Sequence, residues 1–134
     1  GTGTYARQLK QYYPKMNITG VEIDRRSPIW PANTSMAADI PVTTYDGRAW
    51  LAASHDKYDV IMSIDQDITI PFQMSSTEFF TMVREHLNPA ADGGEHEHDL
   101  GRPSSINEAL SDTIASVFGN GNTLTADVPN TTNR

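Results

Sequence analysis

Apolar positions recur along the chain with two rhythms that alternate, one helical and one extended. Tyr5, Leu9 and Tyr13 recur every four residues, which predicts one face of a helix that Pro14 stops. Ile18 to Ile23 reads as a short strand ending at the acids Glu22 and Asp24. Pro41 to Tyr45 is extended with Asp46 at its end, and Gly47 to Ser54 is a short helix carrying Trp50 and Leu51 inward. Tyr58 to Ile64 is an apolar run of the buried parallel-strand type, closed by Asp65. The sequence Ser75-Ser76-Thr77-Glu78 forms a capping box for a helix running to about Leu87, before Pro89, with Phe79, Phe80, Val83 and Leu87 as its buried stripe. A second box, Ser105-Ile106-Asn107-Glu108, opens a helix with Ile106, Leu110, Ile114 and Val117 inward and Gly119 as its stop. Leu124 to Val128 is a candidate last strand, followed by a frayed tail.

Strand–helix alternation of this kind predicts an α/β fold with a parallel sheet, as one domain over residues 1–134. Two polar stretches interrupt it. Residues 25–39, with Pro28, Pro31, Asn33 and Ser35, read as an irregular loop where an α/β unit places a helix. Residues 90–104 carry three glycines, two histidines and four acids where an apolar strand is due. No internal repeat is present.

Composition narrows the partners. The chain has 134 residues, enough for one domain with a core, and 37% hydrophobic residues, above the level of a disordered chain. Ten Lys and Arg against 17 Asp and Glu give a net charge of −7, with a pI near 4.8. That balance argues against duplex nucleic acid and anionic membrane surfaces, and it is permissive toward a cationic small molecule. Aliphatic runs such as Val60-Ile61-Met62 are too short for a transmembrane span or a signal-peptide core. The absence of cysteine removes disulfides, thiolate metal sites and cysteine nucleophiles. A cytoplasmic location is the default expectation. The chain opens at Gly1 on a glycine motif, with no initiator Met and no leading strand, as a cut N-terminus or a piece of a longer chain would.

Gly1-x-Gly3-x-x-Ala6 at the mouth of a helix is a phosphate- or nucleoside-loop pattern: glycines let the backbone approach a ligand, and the helix start offers N–H groups. Glu22 stands nineteen positions after Gly3 at a strand end, where a carboxylate accepts ribose hydroxyls. A plain tight turn with a surface acid is the bland alternative. Asp46 and Asp65 also close strands, so Glu22, Asp46 and Asp65 are expected to line one crevice at the carboxyl edge of the sheet. Such a row suits a ligand with hydroxyls, an amino-bearing ring and positive charge. Asp46 is equally an N-cap before Gly47, and Asp65 and Asp67 are equally turn residues. In Glu95-His96-Glu97-His98-Asp99, alternation would set both histidines on one side. No third ligand stands at a diagnostic spacing, so the expectation is a solvated acidic loop and no metal. Trp30 and Trp50 read as packing groups, and His55 and His86 as surface residues.

Taken in order, Gly1-Thr2-Gly3-Thr4-Tyr5-Ala6-Arg7, Val21-Glu22-Ile23-Asp24, Tyr45-Asp46-Gly47-Arg48-Ala49-Trp50-Leu51 and Tyr58-Asp59-Val60-Ile61-Met62 with Asp65 resemble the spermidine synthase (polyamine aminopropyltransferase) family. Pro71-Phe72, Thr77-Glu78-Phe79-Phe80 and Leu87-Asn88-Pro89 continue the match over about two thirds of the chain. The resemblance implies a Rossmann-like, methyltransferase-type fold: a three-layer parallel sheet with helices on both faces. Here that sheet is expected to be incomplete, since the first strand, the small N-terminal β-domain and the strand after Pro89 are missing. It further implies decarboxylated S-adenosylmethionine as co-substrate, a polyamine as partner, no metal, and a homodimer as an open assembly. Gly1, Gly3 and Gly47 would then lie by the nucleoside, Glu22 would hold the ribose and Asp46 would meet the adenine amino group. Asp65 would be the catalytic aspartate that orients or deprotonates the amine. Asp67 would be the second amine-binding acid, although Asp-x-Asp is shorter than the family's Asp-x-x-Asp. Two other expectations stay open: a methyltransferase using intact S-adenosylmethionine, and a non-catalytic remnant or engineered scaffold of the fold.

Overall fold

A computed structural model describes residues 4–24, 40–63, 71–89 and 105–124. They group into two compact units, one within Gly1–Ser54 and one within His55–Arg134. The mixture of helices with a small parallel sheet fits the expected α/β class.

In the first unit, helix α1 spans Thr4–Tyr12, beginning directly after the two glycines. It ends where Pro14 has no N–H to continue it, with the Tyr13 N–H donating to Leu9 O at 2.7 Å. The expected buried face is only partly realised. Leu9 is half-buried, whereas Tyr5 and Tyr13 are exposed. Strand β1, Gly20–Glu22, pairs in parallel with β2, Val42–Thr44, in the register Gly20↔Val42, Val21↔Thr43 and Glu22↔Thr44. The ladder is extended at both ends, by Gly20 N–H to Pro41 O at 2.9 Å and by Tyr45 N–H to Glu22 O at 3.0 Å. Glycine suits position 20, because a Cβ there would stand 3.1 Å from a Val42 methyl. Helix α2, Gly47–Ala53, follows at once and packs on β1. Leu51 and Ile40 are buried, and Trp50 is half-buried.

The second unit is built on an aromatic stripe. Helix α3, Thr77–His86, buries Phe79, Phe80 and Val83, as its periodicity predicts, while Leu87, the fourth residue of the expected stripe, is its half-buried C-cap. The rings of Phe79 and Phe80 meet edge to face with centroids 5.5 Å apart. Helix α4, Ser105–Phe118, packs on α3 with Leu110 and Val117 buried and Ile114 half-buried. It stops at Gly119, whose φ of 93° is accessible to glycine at little cost. The end carbonyls of α4 are satisfied from several sides. Gly119 N–H donates to Ala115 O, Asn122 Nδ2 to Phe118 O, and Arg84 Nη1 reaches across from α3 to Val117 O at 2.7 Å.

Four expectations change here. The cap of α3 is Ser76 rather than Ser75. Ser75 closes the 3₁₀ turn Phe72–Met74, its hydroxyl donating to Phe72 O, which leaves Ser76 in the extended conformation of a cap that accepts from Phe79 N–H. Likewise, α4 already includes Ser105, one residue earlier than a cap there implies. Among the described residues, the run from Tyr58 is reduced to one parallel bridge, Tyr58↔Leu87, with Val60 exposed. A longer ladder needs a β-forming partner, and the sequence after Pro89 offers glycines, acids and histidines instead. The bridge is braced by Asn88 Nδ2 to Asp59 Oδ1 at 2.8 Å and by Lys57 Nζ to Glu85 O. Leu124, the first residue of the expected last strand, is exposed and lies outside any strand. The expected irregular stretches 25–39 and 90–104 lie outside the described residues.

Phe80 is fully buried and Phe72 largely exposed. Phe80→Ala is therefore expected to cost about 3–5 kcal/mol in urea denaturation, and Phe72→Ala less than about 0.5 kcal/mol.

Candidate functional site

Two parallel strands end on the same side of a sheet, so the register of β1 and β2 brings Glu22 and Asp46 to one edge. Glu22 is the last residue of β1 and is half-buried. Its Oε1 accepts from the Asp24 N–H at 3.0 Å, which turns the carboxylate back over the strand end. Asp46 lies two residues beyond Thr44. It is the N-cap of α2, with Oδ1 accepting from Ala49 N–H at 2.8 Å. The capping reading of Asp46 is thus realised, and an ionised carboxylate has about four acceptor positions, so a cap does not exhaust it. Gly47 opens α2, and a Cβ there would meet open space, so packing alone does not demand glycine.

Gly1, Gly3, Asp65 and Asp67 lie outside the described residues, as do Trp30 and the segment Glu95 to Asp99. Of the three carboxylates expected at one crevice, Glu22 and Asp46 stand at the same edge of the sheet. Among the described residues no cluster of His, Asp and Glu could hold a metal ion, and no helix is long and apolar enough to cross a membrane. His86 departs from the surface expectation. It is half-buried, with Nδ1 2.8 Å from Met82 O, and since the carbonyl accepts, the proton sits on Nδ1. His55 is exposed.

Sequence reasoning did not single out Ile23 and Tyr45. Both are large, exposed and directly follow the two strands. Bulky apolar residues beside acids at two successive strand ends were the available signal.

The chain is 76% identical over 141 residues, covering all of it, to a protein of Bifidobacterium longum (strain NCC 2705) named "Probable polyamine aminopropyl transferase". The expected resemblance holds along the whole chain. The chain spans 31% of that relative's length. No family model matches it.

The cap can be tested apart from any ligand. Asp46→Ala is expected to lower stability by about 0.5–2 kcal/mol, while Asp46→Asn stays within a few tenths, because asparagine caps as well as aspartate. Paired thermal melts measure the difference.

Proposed function

We propose that this chain carries the nucleoside-binding part of a polyamine aminopropyltransferase with a Rossmann-like, methyltransferase-type fold. The observation that carries the reading is the 76% identity to the probable polyamine aminopropyl transferase over the whole chain. The shared edge of Glu22 and Asp46 supports it. The co-substrate is decarboxylated S-adenosylmethionine and the acceptor a polyamine such as putrescine. In this reading Gly1, Gly3 and Gly47 lie beside the nucleoside, Glu22 accepts from the ribose hydroxyls and Asp46 from the adenine amino group. The donor set fits the ligand: ribose and adenine present hydroxyl and amino hydrogens, and carboxylates are acceptors. A cytoplasmic location goes with this chemistry.

The reaction is a direct displacement. The amine nitrogen, neutral and oriented by Asp65, with Asp67 as the second amine-binding acid, attacks the propyl carbon attached to the sulfonium. A C–N bond forms as the C–S bond breaks, the bonding pair passes to sulfur, and methylthioadenosine leaves. The proton shed by the new ammonium goes to the Asp65 carboxylate or to water. Sulfonium is already a good leaving group, so the protein's part is to position the pair and keep the amine reactive.

Two measurements test this. Glu22→Ala is expected to weaken calorimetric binding of methylthioadenosine by about 1–3 kcal/mol, the cost of leaving hydrogen-bonding groups unpaired; equal affinities would remove Glu22 from the site. Asp65→Asn is expected to preserve nucleoside binding and to cut methylthioadenosine release by roughly 10²–10⁴-fold. Nucleoside binding without any release from the unsubstituted chain would leave a non-catalytic remnant as the better description.

A further inference from the structure

Tyr45 occupies an unusual place for a large ring. It directly follows β2, and its backbone is held on both sides: its N–H donates to Glu22 O at 3.0 Å, and the next residue is the N-cap of α2. Its side chain is nevertheless 55% exposed. Ile23, one step past the Glu22↔Thr44 pair on the other strand, is 71% exposed. Two apolar side chains therefore stand in water at the sheet edge that also carries Glu22 and Asp46. A ligand that satisfies all four has an apolar flat face and a rim of hydrogen-bond donors, which is the chemistry of a purine nucleoside.

We infer that Tyr45 is the platform on which the purine ring stacks, an assignment that rests on the nucleoside-binding reading above. Tyrosine suits the task, because its ring offers a large rigid surface with only two side-chain torsions to order. Stacking is indifferent to which purine is present, since every base has a π-face. Tyr45 thus supplies affinity without base identity, and Asp46, an acceptor facing an exocyclic amino group, supplies the identity.

The division of labour is testable on the 134-residue chain. Methylthioadenosine and its inosine counterpart are titrated calorimetrically into the unsubstituted chain, Tyr45→Phe, Tyr45→Leu and Asp46→Asn. Tyr45→Phe is expected to bind like the unsubstituted chain. Tyr45→Leu is expected to weaken both nucleosides by a common factor of roughly 5–150-fold, whereas Asp46→Asn changes the ratio between them. Exposure at position 45 predicts an unchanged melting temperature. Should Tyr45→Leu melt early, Tyr45→Trp replaces it, and its larger face is expected to tighten both nucleosides relative to Tyr45→Phe. Tyr45→Leu binding as tightly as Tyr45→Phe, Tyr45→Trp binding no tighter than Tyr45→Phe, or a loss confined to the adenine compound would overturn the stacking role and leave the nucleoside site standing. Failure of the unsubstituted chain to bind either nucleoside would overturn both.

Discussion

The parallel pairing of Gly20–Glu22 with Val42–Thr44 is the constraint from which the candidate site follows. An antiparallel pair would send the two chain ends to opposite edges, separating Glu22 from Asp46. Parallel pairing puts them together, and the bond from Tyr45 N–H to Glu22 O carries the alignment one step past the ladder. The connection runs from residue 23 to 41, long enough for the crossover that parallel strands require. Gly20 lets the strands meet closely, and α2 covers β1 immediately afterwards.

The second unit rests on a different principle. Its order comes from side-chain burial on α3 and α4, with backbone groups satisfied where the helices end. Arg84 illustrates how the two combine. It leaves α3 and donates to Val117 O near the end of α4, so a charge-assisted bond reinforces the packing of two helices on which Phe80, Val83 and Val117 are buried.

Helical segments were the most legible part of the sequence, because a 3.6-residue period and a stop residue are both local. Phe79, Phe80 and Val83 were expected at the core of α3 and are found there, and Gly119 stops α4 as expected. Caps were legible to within one residue: two adjacent serines compete at the start of α3, and a 3₁₀ turn decides for Ser76. Strands were harder. Apolar character predicted a strand from Tyr58, but a strand exists only where another accepts its hydrogen bonds, and that partner is non-local. The strand-end positions of Glu22 and Asp46 were legible, because an extended run closed by an acid marks each of them. The exposure of Tyr45 and Ile23 was not, since each stands alone at a strand end, where no periodic stripe tells a buried side from an open one.

The cap on α2 also bears on how Asp46 meets anything that approaches it. A free aspartate samples several rotamers and must freeze one of them to form a complex, losing entropy at that moment. Here the bond to Ala49 N–H has already selected the rotamer during folding. The carboxylate is thus a fixed point whose heading is set by the axis of a helix, and a tilt of α2 would re-aim it as surely as a substitution would.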